Sequence, residues 1–284
     1  MKKHFFLAVA LMAIGGVAGA QVQSDGAPVK LLSTPGGLMA PVWSPDGSKI
    51  AVTTDNYTGI LVANADGTAL RQLTREAGTG YNMTWTEDGA AIISRNNIVE
   101  NGRVFHEIKS FDVKLGTSKV LMAKSRDAVS PRLKAHKGAA ADIYSAMLAR
   151  PTKAAKEFKA LNQFAGKTVI NPALSPDGSK IAFQIPGNGM WLINADGSGL
   201  RSLGKGSHAS WLPDSKTIVY TVVEDNGERF TSSQLKSVDT SNGKTSVITR
   251  RADMIPMTPS VSPDGRKVAF ENAADAAIYV VNIK

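Results

Sequence analysis

Short stretches in which apolar side chains alternate with small or polar ones recur along this chain, each closed by a tight-turn sequence. In residues 39–53 an apolar stretch, MAPVW, enters Ser44-Pro45-Asp46-Gly47 and leaves through Lys49, Ile50, Ala51, Val52 and Thr53, where Ile50 and Val52 alternate with smaller or polar partners. A period of two is the pattern of a half-buried strand. The turn has its own mechanism: proline presets φ, the aspartate accepts bonds from its own turn, and glycine supplies the positive φ. After a loop at 55–59, residues 60–63 predict a third strand, Asn64-Ala65-Asp66-Gly67 a second tight turn, and residues 70–73 a fourth strand.

This four-strand module repeats. SPDGSKIAV at 44–52 returns as SPDGSKIAF at 175–183 and SPDGRKVAF at 262–270, and NADGTALRQLT at 64–74 returns as NADGSGLRSL at 194–203. Aligned on the proline position, the copies fall at Pro45, Glu87, Pro131, Pro176, Pro213 and Pro263, with spacings of 42, 44, 45, 37 and 50 residues. Four short antiparallel strands repeated at this period predict an all-β fold, a six-bladed β-propeller. The blade cores are expected near 39–74, 81–122, 125–166, 169–204, 207–249 and 257–284. The third copy, VSPRLKA, is the degenerate one.

A ring of blades has to close or leave raw sheet edges. The last unit ends after three strands, and residues 28–32 offer a spare one, so the N-terminal strand is expected to complete the last blade. One segment breaks the pattern: in 153–164, Ala154, Phe158, Leu161 and Phe164 recur at helical spacing after Pro151, predicting a short amphipathic helix on the third blade.

SPDG followed by K(I/V)A(F/V), with IYVVN or WLINADGSG downstream, resembles the TolB-type propeller family. The resemblance spans the propeller alone, without the separate α/β domain that precedes it in TolB. It implies a propeller fold and a scaffold or protein-binding role; such repeats also occur in the non-catalytic propellers of some peptidases and lyases.

The N-terminus reads Lys2, Lys3, an apolar run from Phe5 to about Val17, then Ala18-Gly19-Ala20. This is the pattern of a cleaved secretory signal over residues 1–20, leaving one domain at 21–284. The apolar run is shorter than the ~20 residues of a membrane span and is interrupted by glycines, so no span is expected. The chain has no cysteine, which excludes thiol chemistry, cysteine-bound metal and a lipid-modified cysteine after the leader. Without Lys2 and Lys3 the chain holds 31 basic and 24 acidic residues, a net +7, scattered with no run of five like charges. That distribution reads as a solvated surface rather than a nucleic-acid footprint.

Motifs for chemistry are sparse. His106, His136 and His208 lie in different repeats without metal-ligand spacing, and only His208 falls at a channel position, so neither a metal nor another cofactor is expected. Asp46, Asp88, Asp177, Asp214 and Asp264 belong to turns rather than to a calcium loop. Gly204-Lys205-Gly206-Ser207-His208 places serine beside histidine, but neighbours on a strand point to opposite faces, so no dyad is expected. GxSxG, Walker-type and dinucleotide-binding sequences are absent. Trp43, Trp85 and Trp211 share a column, two before the proline position, occupied elsewhere by Val129, Leu174 and Val261, which marks packing between blades.

The column five before the proline position differs: Ala40, Asn82, Arg126, Asn171, His208 and Thr258. The first strand of a blade runs beside the axis, so these residues ring one mouth of the channel. The column three before the proline (Val42, Thr84, Ala128, Ala173, Ser210, Ser260) is small, as crowding near an axis requires. Asn82, Arg126, Asn171, His208 and Thr258 are therefore the candidate site for a ligand or peptide. The variable loops at 55–59, 96–103, 186–189, 224–229 and 271–275 are expected on the same face. The expectation is an exported, periplasmic or secreted, monomeric binding or assembly module with a protein or peptide partner, and not an enzyme. Two alternatives stay open: a hydrolytic or carbohydrate-active enzyme using His208 and Arg126 in the channel, and a glycan-binding protein with Tyr57 and Tyr81 at the mouth.

Overall fold

The computed structural model describes residues 21–126, 159–164, 167–249 and 251–284. The described residues form five four-stranded antiparallel blades, not six. The first holds β2 (Met39–Trp43), β3 (Lys49–Thr53), β4 (Thr58–Asn64) and β5 (Arg71–Ala77). The second holds β6 (Thr84–Trp85), β7 (Ala91–Glu100), β8 (Arg103–Asp112) and β9 (Ser118–Ser125). β10 (Ile170–Leu174), β11 (Lys180–Ile185), β12 (Gly189–Asn194) and β13 (Arg201–Gly204) make the third blade. β14 (Ser207–Trp211), β15 (Thr217–Asp225), β16 (Phe230–Asp239) and β17 (Thr245–Val247) make the fourth. The last blade has the order β1-β20-β19-β18, with β1 (Val29–Leu32), β18 (Pro256–Val261), β19 (Lys267–Asn272) and β20 (Ala277–Asn282).

The expected blade with no counterpart among the described residues is the one at 125–166. β9 takes its first residue, and Lys159–Phe164 is a 3-10 helix rather than a strand. The difference is legible in VSPRLKA, which lacks the aspartate that accepts the turn bonds in all five other copies. Residues 127–158, with Pro131, His136 and the first half of the expected helix at 153–164, lie outside the described residues. In the described part of that helix, Leu161 and Phe164 pack on Ile181, Phe183, Ile185 and Ile193 of the following blade, and the Phe164 ring meets Trp191 edge to face at 4.8 Å.

The turn mechanism recurs atom for atom. Ser44 Oγ donates to Asp46 Oδ1 (2.6 Å), which also accepts from Ser48 N (3.0 Å), while Lys49 N donates back to Ser44 Oγ (2.9 Å). Ser175-Asp177-Lys180, Ser262-Asp264-Lys267 and Thr86-Asp88-Ala91 repeat the set. These bonds favour the charged carboxylates and pull Asp46 and Asp177 down to about 2.

Tryptophans tie neighbouring blades together. Trp85 Nε1 donates to Val42 O (3.1 Å), Trp211 Nε1 to Ala173 O (2.9 Å), and Trp43 Nε1 to Ser260 O (3.1 Å). Each bond runs to the preceding blade's small-residue column, so that column supplies acceptors as well as space. The Trp43 bond joins the first blade to the last. β1 pairs with β20 through Val29↔Val280 and Lys30↔Tyr279, and Gln23 exchanges backbone bonds with Lys284 (3.0 Å each). Arg71 and Arg201 add cross-blade bonds to Val113 O and Thr240 O. Among the described residues no helix is long and apolar enough to cross a membrane.

Candidate functional site

The candidate column is a ring of backbone irregularities. Ala40, Asn82, Asn171, His208 and Thr258 all have positive φ, between 44° and 53°. In four blades the ladder register shifts at this place: Met39/Val42, Ile170/Ala173, Ser207/Ser210 and Met257/Ser260. In these four blades the inner strand therefore starts with a bulge that holds a left-handed residue. Asparagine and histidine tolerate this conformation better than most residues, which explains part of the ring's polarity. Thr258 is β-branched and does not, so its backbone is strained.

Asn82, Asn171, His208 and Thr258 line one cavity of about 930 Å³, together with Ala40, Tyr57 and Tyr81. Arg126 stands apart: it follows β9, is exposed, lies over the Phe105 ring at 5.9 Å, and is not in the cavity wall. Parts of the loops at 55–59, 186–189 and 224–229 reach the cavity through Tyr57, Gly187, Asn188, Gly189 and Asp225. The expected loop at 96–103 is instead the end of the β7–β8 hairpin, turning on Asn101 and Gly102 with φ of 49° and 71°.

His208 Nδ1 lies 3.1 Å from Ser207 Oγ. The expectation that these two point apart fails because His208, at φ 53°, is not extended, and the alternation rule holds only for extended backbone. Tyr57 and Tyr81 meet edge to face at 5.2 Å, and the Arg95 guanidinium covers the Tyr81 ring at 4.7 Å. Burial holds the Tyr57 hydroxyl above its ordinary value, and it lowers Arg95 from its own.

A second column supports the ring. The residue eight after the proline position is Thr53, Arg95, Gln184, Thr221 and Glu271 in the five blades. Glu271 Oε2 accepts from Thr258 Oγ1 (2.9 Å) in its own blade and from Ala40 N (2.8 Å) in the first, bridging the closure seam at the mouth. Burial raises the Glu271 carboxyl against the opposing effect of these two bonds. Asn171 Nδ2 donates to Gln184 Oε1 (3.2 Å), and Thr53 Oγ1 to Gly59 O (2.7 Å). Sequence reasoning passed over this column, although a polar residue at one offset in five of the six aligned copies, with Ala139 in the degenerate one, is a signal of the kind that revealed the first.

No protein-family model matches the chain, and no curated protein matches it in sequence. Among solved structures it is similar to the tricorn protease at 14% identity and a TM-score of 0.51, over 88% of this chain and 26% of that one. It is also similar to TolB from Acinetobacter baumannii (14% identity, TM-score 0.39, 89% of this chain and 56% of that one). An oligogalacturonate lyase in complex with manganese gives 14% identity and a TM-score of 0.37, over 93% of this chain and 97% of that one. The chain thus spans about half the length of that TolB and a quarter of the tricorn protease. The tricorn likeness shows the propeller fold and nothing of the chemistry. Among the described residues no three of His, Asp and Glu cluster as metal ligands do.

Proposed function

We propose that this chain is an exported, non-catalytic binding module of the cell envelope that takes a protein or peptide segment into the cavity ringed by Asn82, Asn171, His208 and Thr258. The observation that carries the reading is the left-handed residue repeated in every described blade at the cavity mouth, set in a bulge in four of them: a ring of backbone irregularities presenting amide, imidazole and hydroxyl groups. Such groups suit hydrogen bonding to a polypeptide. A stacked sugar is less well served, because Tyr81 is already covered by Arg95 and met by Tyr57. The leader at 1–20 supports export, with the periplasm as the place of work.

The test is a crosslinking pull-down from the native cell envelope with the wild-type protein, Asn171→Gly, His208→Gly and, as a control outside the cavity, Arg126→Ala. Glycine suits the left-handed positions, so the first two changes remove side chains without threatening the fold. A specific partner captured by wild type and Arg126→Ala but lost in the glycine variants is the expected result. Equal capture by all four moves the interface elsewhere, and no partner at all counts against the module. Recovery of the mature protein from the periplasmic fraction with Gln21 at its N-terminus checks export.

The Ser207–His208 contact favours one second reading, a hydrolase with Ser207 as nucleophile and His208 as base, since both line the cavity within hydrogen-bond reach. Stoichiometric labelling of Ser207 by a fluorophosphonate, lost in His208→Gly, would replace the binding role with this one.

A further inference from the structure

The second column holds an unfinished contact. The residues two earlier on the same strands, Ala51, Ala182, Val219 and Ala269, pack into cores shared with the next blade, so the column side chains face the seams between blades. In three of these seams the polar atom is satisfied: Thr53 by Gly59 O, Gln184 by Asn171, and Glu271 by Ala40 and Thr258. Two members of the column are exceptions: Arg95, whose Nε lacks a partner but whose guanidinium covers the Tyr81 ring and does not line the cavity, and Thr221. Thr221 is fully buried (0% exposed), it lines the cavity, and its Oγ1 has no hydrogen-bond partner. Buried hydroxyls without partners are rare because they forfeit water and gain nothing in return.

Its surroundings narrow what the missing partner is. Thr221 lies across the ladder from Ser207, and Asn171, Gln184 and His208 line the same cavity. Asn171 already donates to the Gln184 oxygen, which leaves the Gln184 N–H groups to donate and the Asn171 oxygen to accept. Apolar side chains, Ile185, Val223 and Met257, complete this wall. Of the charged residues that line the cavity, Lys205 is already paired with Glu224 at 2.7 Å, and Asp225 accepts from Gly227 N at 3.0 Å. A hydroxyl that both donates and accepts, beside one amide donor, one amide acceptor and apolar side chains, complements an amide rather than an ion.

We infer that Thr221 is a ligand contact, and that the segment entering the cavity presents a peptide or carboxamide group to Thr221, Gln184 and Asn171. This rests on the binding role proposed above and names the chemical group that the site reads. It predicts an opposition between stability and binding at Thr221, because the hydroxyl burdens the empty protein and serves only when the cavity is filled.

The experiment uses the isosteric Thr221→Val variant. Protein carrying 13C-methyl methionine is titrated with N-acetylglycine N-methylamide, and in parallel with glucose and with acetate, while the Met257 methyl resonance is followed. The expected result is a saturable Met257 shift with the amide alone, about tenfold weaker affinity in Thr221→Val, and a melting temperature raised by roughly 2–4 °C in that variant. A lowered melting temperature would make the hydroxyl structural and overturn the inference. So would amide affinity unchanged by the substitution, or an equal response to glucose or acetate. The amide titration reads this contact and the pull-down reads the module, so either can fail visibly without the other.

Discussion

Ala40 and Gly47 stand seven residues apart in the same repeat, and both are left-handed, with φ of 50° and 69°. Only one of them is the residue that conformation favours. A β-carbon on Gly47 would meet the Pro263 ring at 3.6 Å, ordinary contact, so Gly47→Ala isolates backbone strain. Left-handed strain of ~1–2 kcal/mol, less the entropy that alanine removes from the unfolded chain, predicts a net loss of about 1 kcal/mol in urea unfolding. Ala40→Gly runs the comparison in reverse and should be neutral to stabilising by up to ~1 kcal/mol, since Ala40 uses only its backbone N–H, toward Glu271. If Ala40→Gly instead costs as much as Gly47→Ala, the bulge conformation of the ring is wrong. The polarity of the ring was legible from one sequence, because Asn82, Asn171, His208 and Thr258 align on one offset. The bulge beneath it was not, since neither Ala40 nor Thr258 advertises positive φ, and the alternation rule that separated Ser207 from His208 assumed the extended backbone that the bulge removes.

Blade seams are held by a device whose donor and acceptor lie in different repeats, so its residues were visible in the sequence and its bonds were not. The tryptophan column reads correctly as packing between blades. What it withholds is that each indole N–H ends on the preceding blade's carbonyl, as Trp43 does on Ser260 across the closure seam. Trp43→Phe keeps an aromatic ring but removes that donor and part of the buried volume. The expected loss is about 1–3 kcal/mol, measured by denaturant midpoint with an unchanged slope. Trp211→Phe, whose bond to Ala173 O is buried, should cost at least as much. A seam that tolerates both changes within ~0.5 kcal/mol would show that area burial alone joins the blades. The blade count failed at this same scale. A proline at the expected spacing was enough to mark Pro131 as a repeat, although VSPRLKA lacks the turn aspartate that every other copy carries.

Across the described residues the repeated turn aspartates and the partly buried Glu271 pull stability in opposite directions as pH changes. Asp46 and Asp177 fall from 3.8 to about 2 on folding, and Asp88 and Asp264 are lowered for the same reason, hydrogen bonds to the charged form. A group depressed by folding lends stability that is complete above its unfolded value and disappears as pH falls through its folded one. The turns should therefore fail together between about pH 4 and pH 2, and because these carboxylates are exposed each contributes modestly while the repeat makes the sum visible. Glu271 is raised by burial, so its contribution has the reverse sense: it is fully present below 4.5 and declines as pH rises through the folded value. Tyr57, which faces it, is itself held above its ordinary value of 10.0 and stays neutral through this range. Thermal melts from pH 2 to pH 8 should thus rise steeply to about pH 4 and then slope gently downward. Glu271→Gln keeps an oxygen for Ala40 N and Thr258 Oγ1 and removes the buried charge, so it should flatten the downward slope and leave the acid limb where it was. Asp46→Asn should do the converse, shrinking the acid limb by its one-turn share. A downward slope that survives Glu271→Gln would mean that the carboxylate at the mouth is solvated, and that the closure seam between the last blade and the first is looser than its two bonds to Glu271 require.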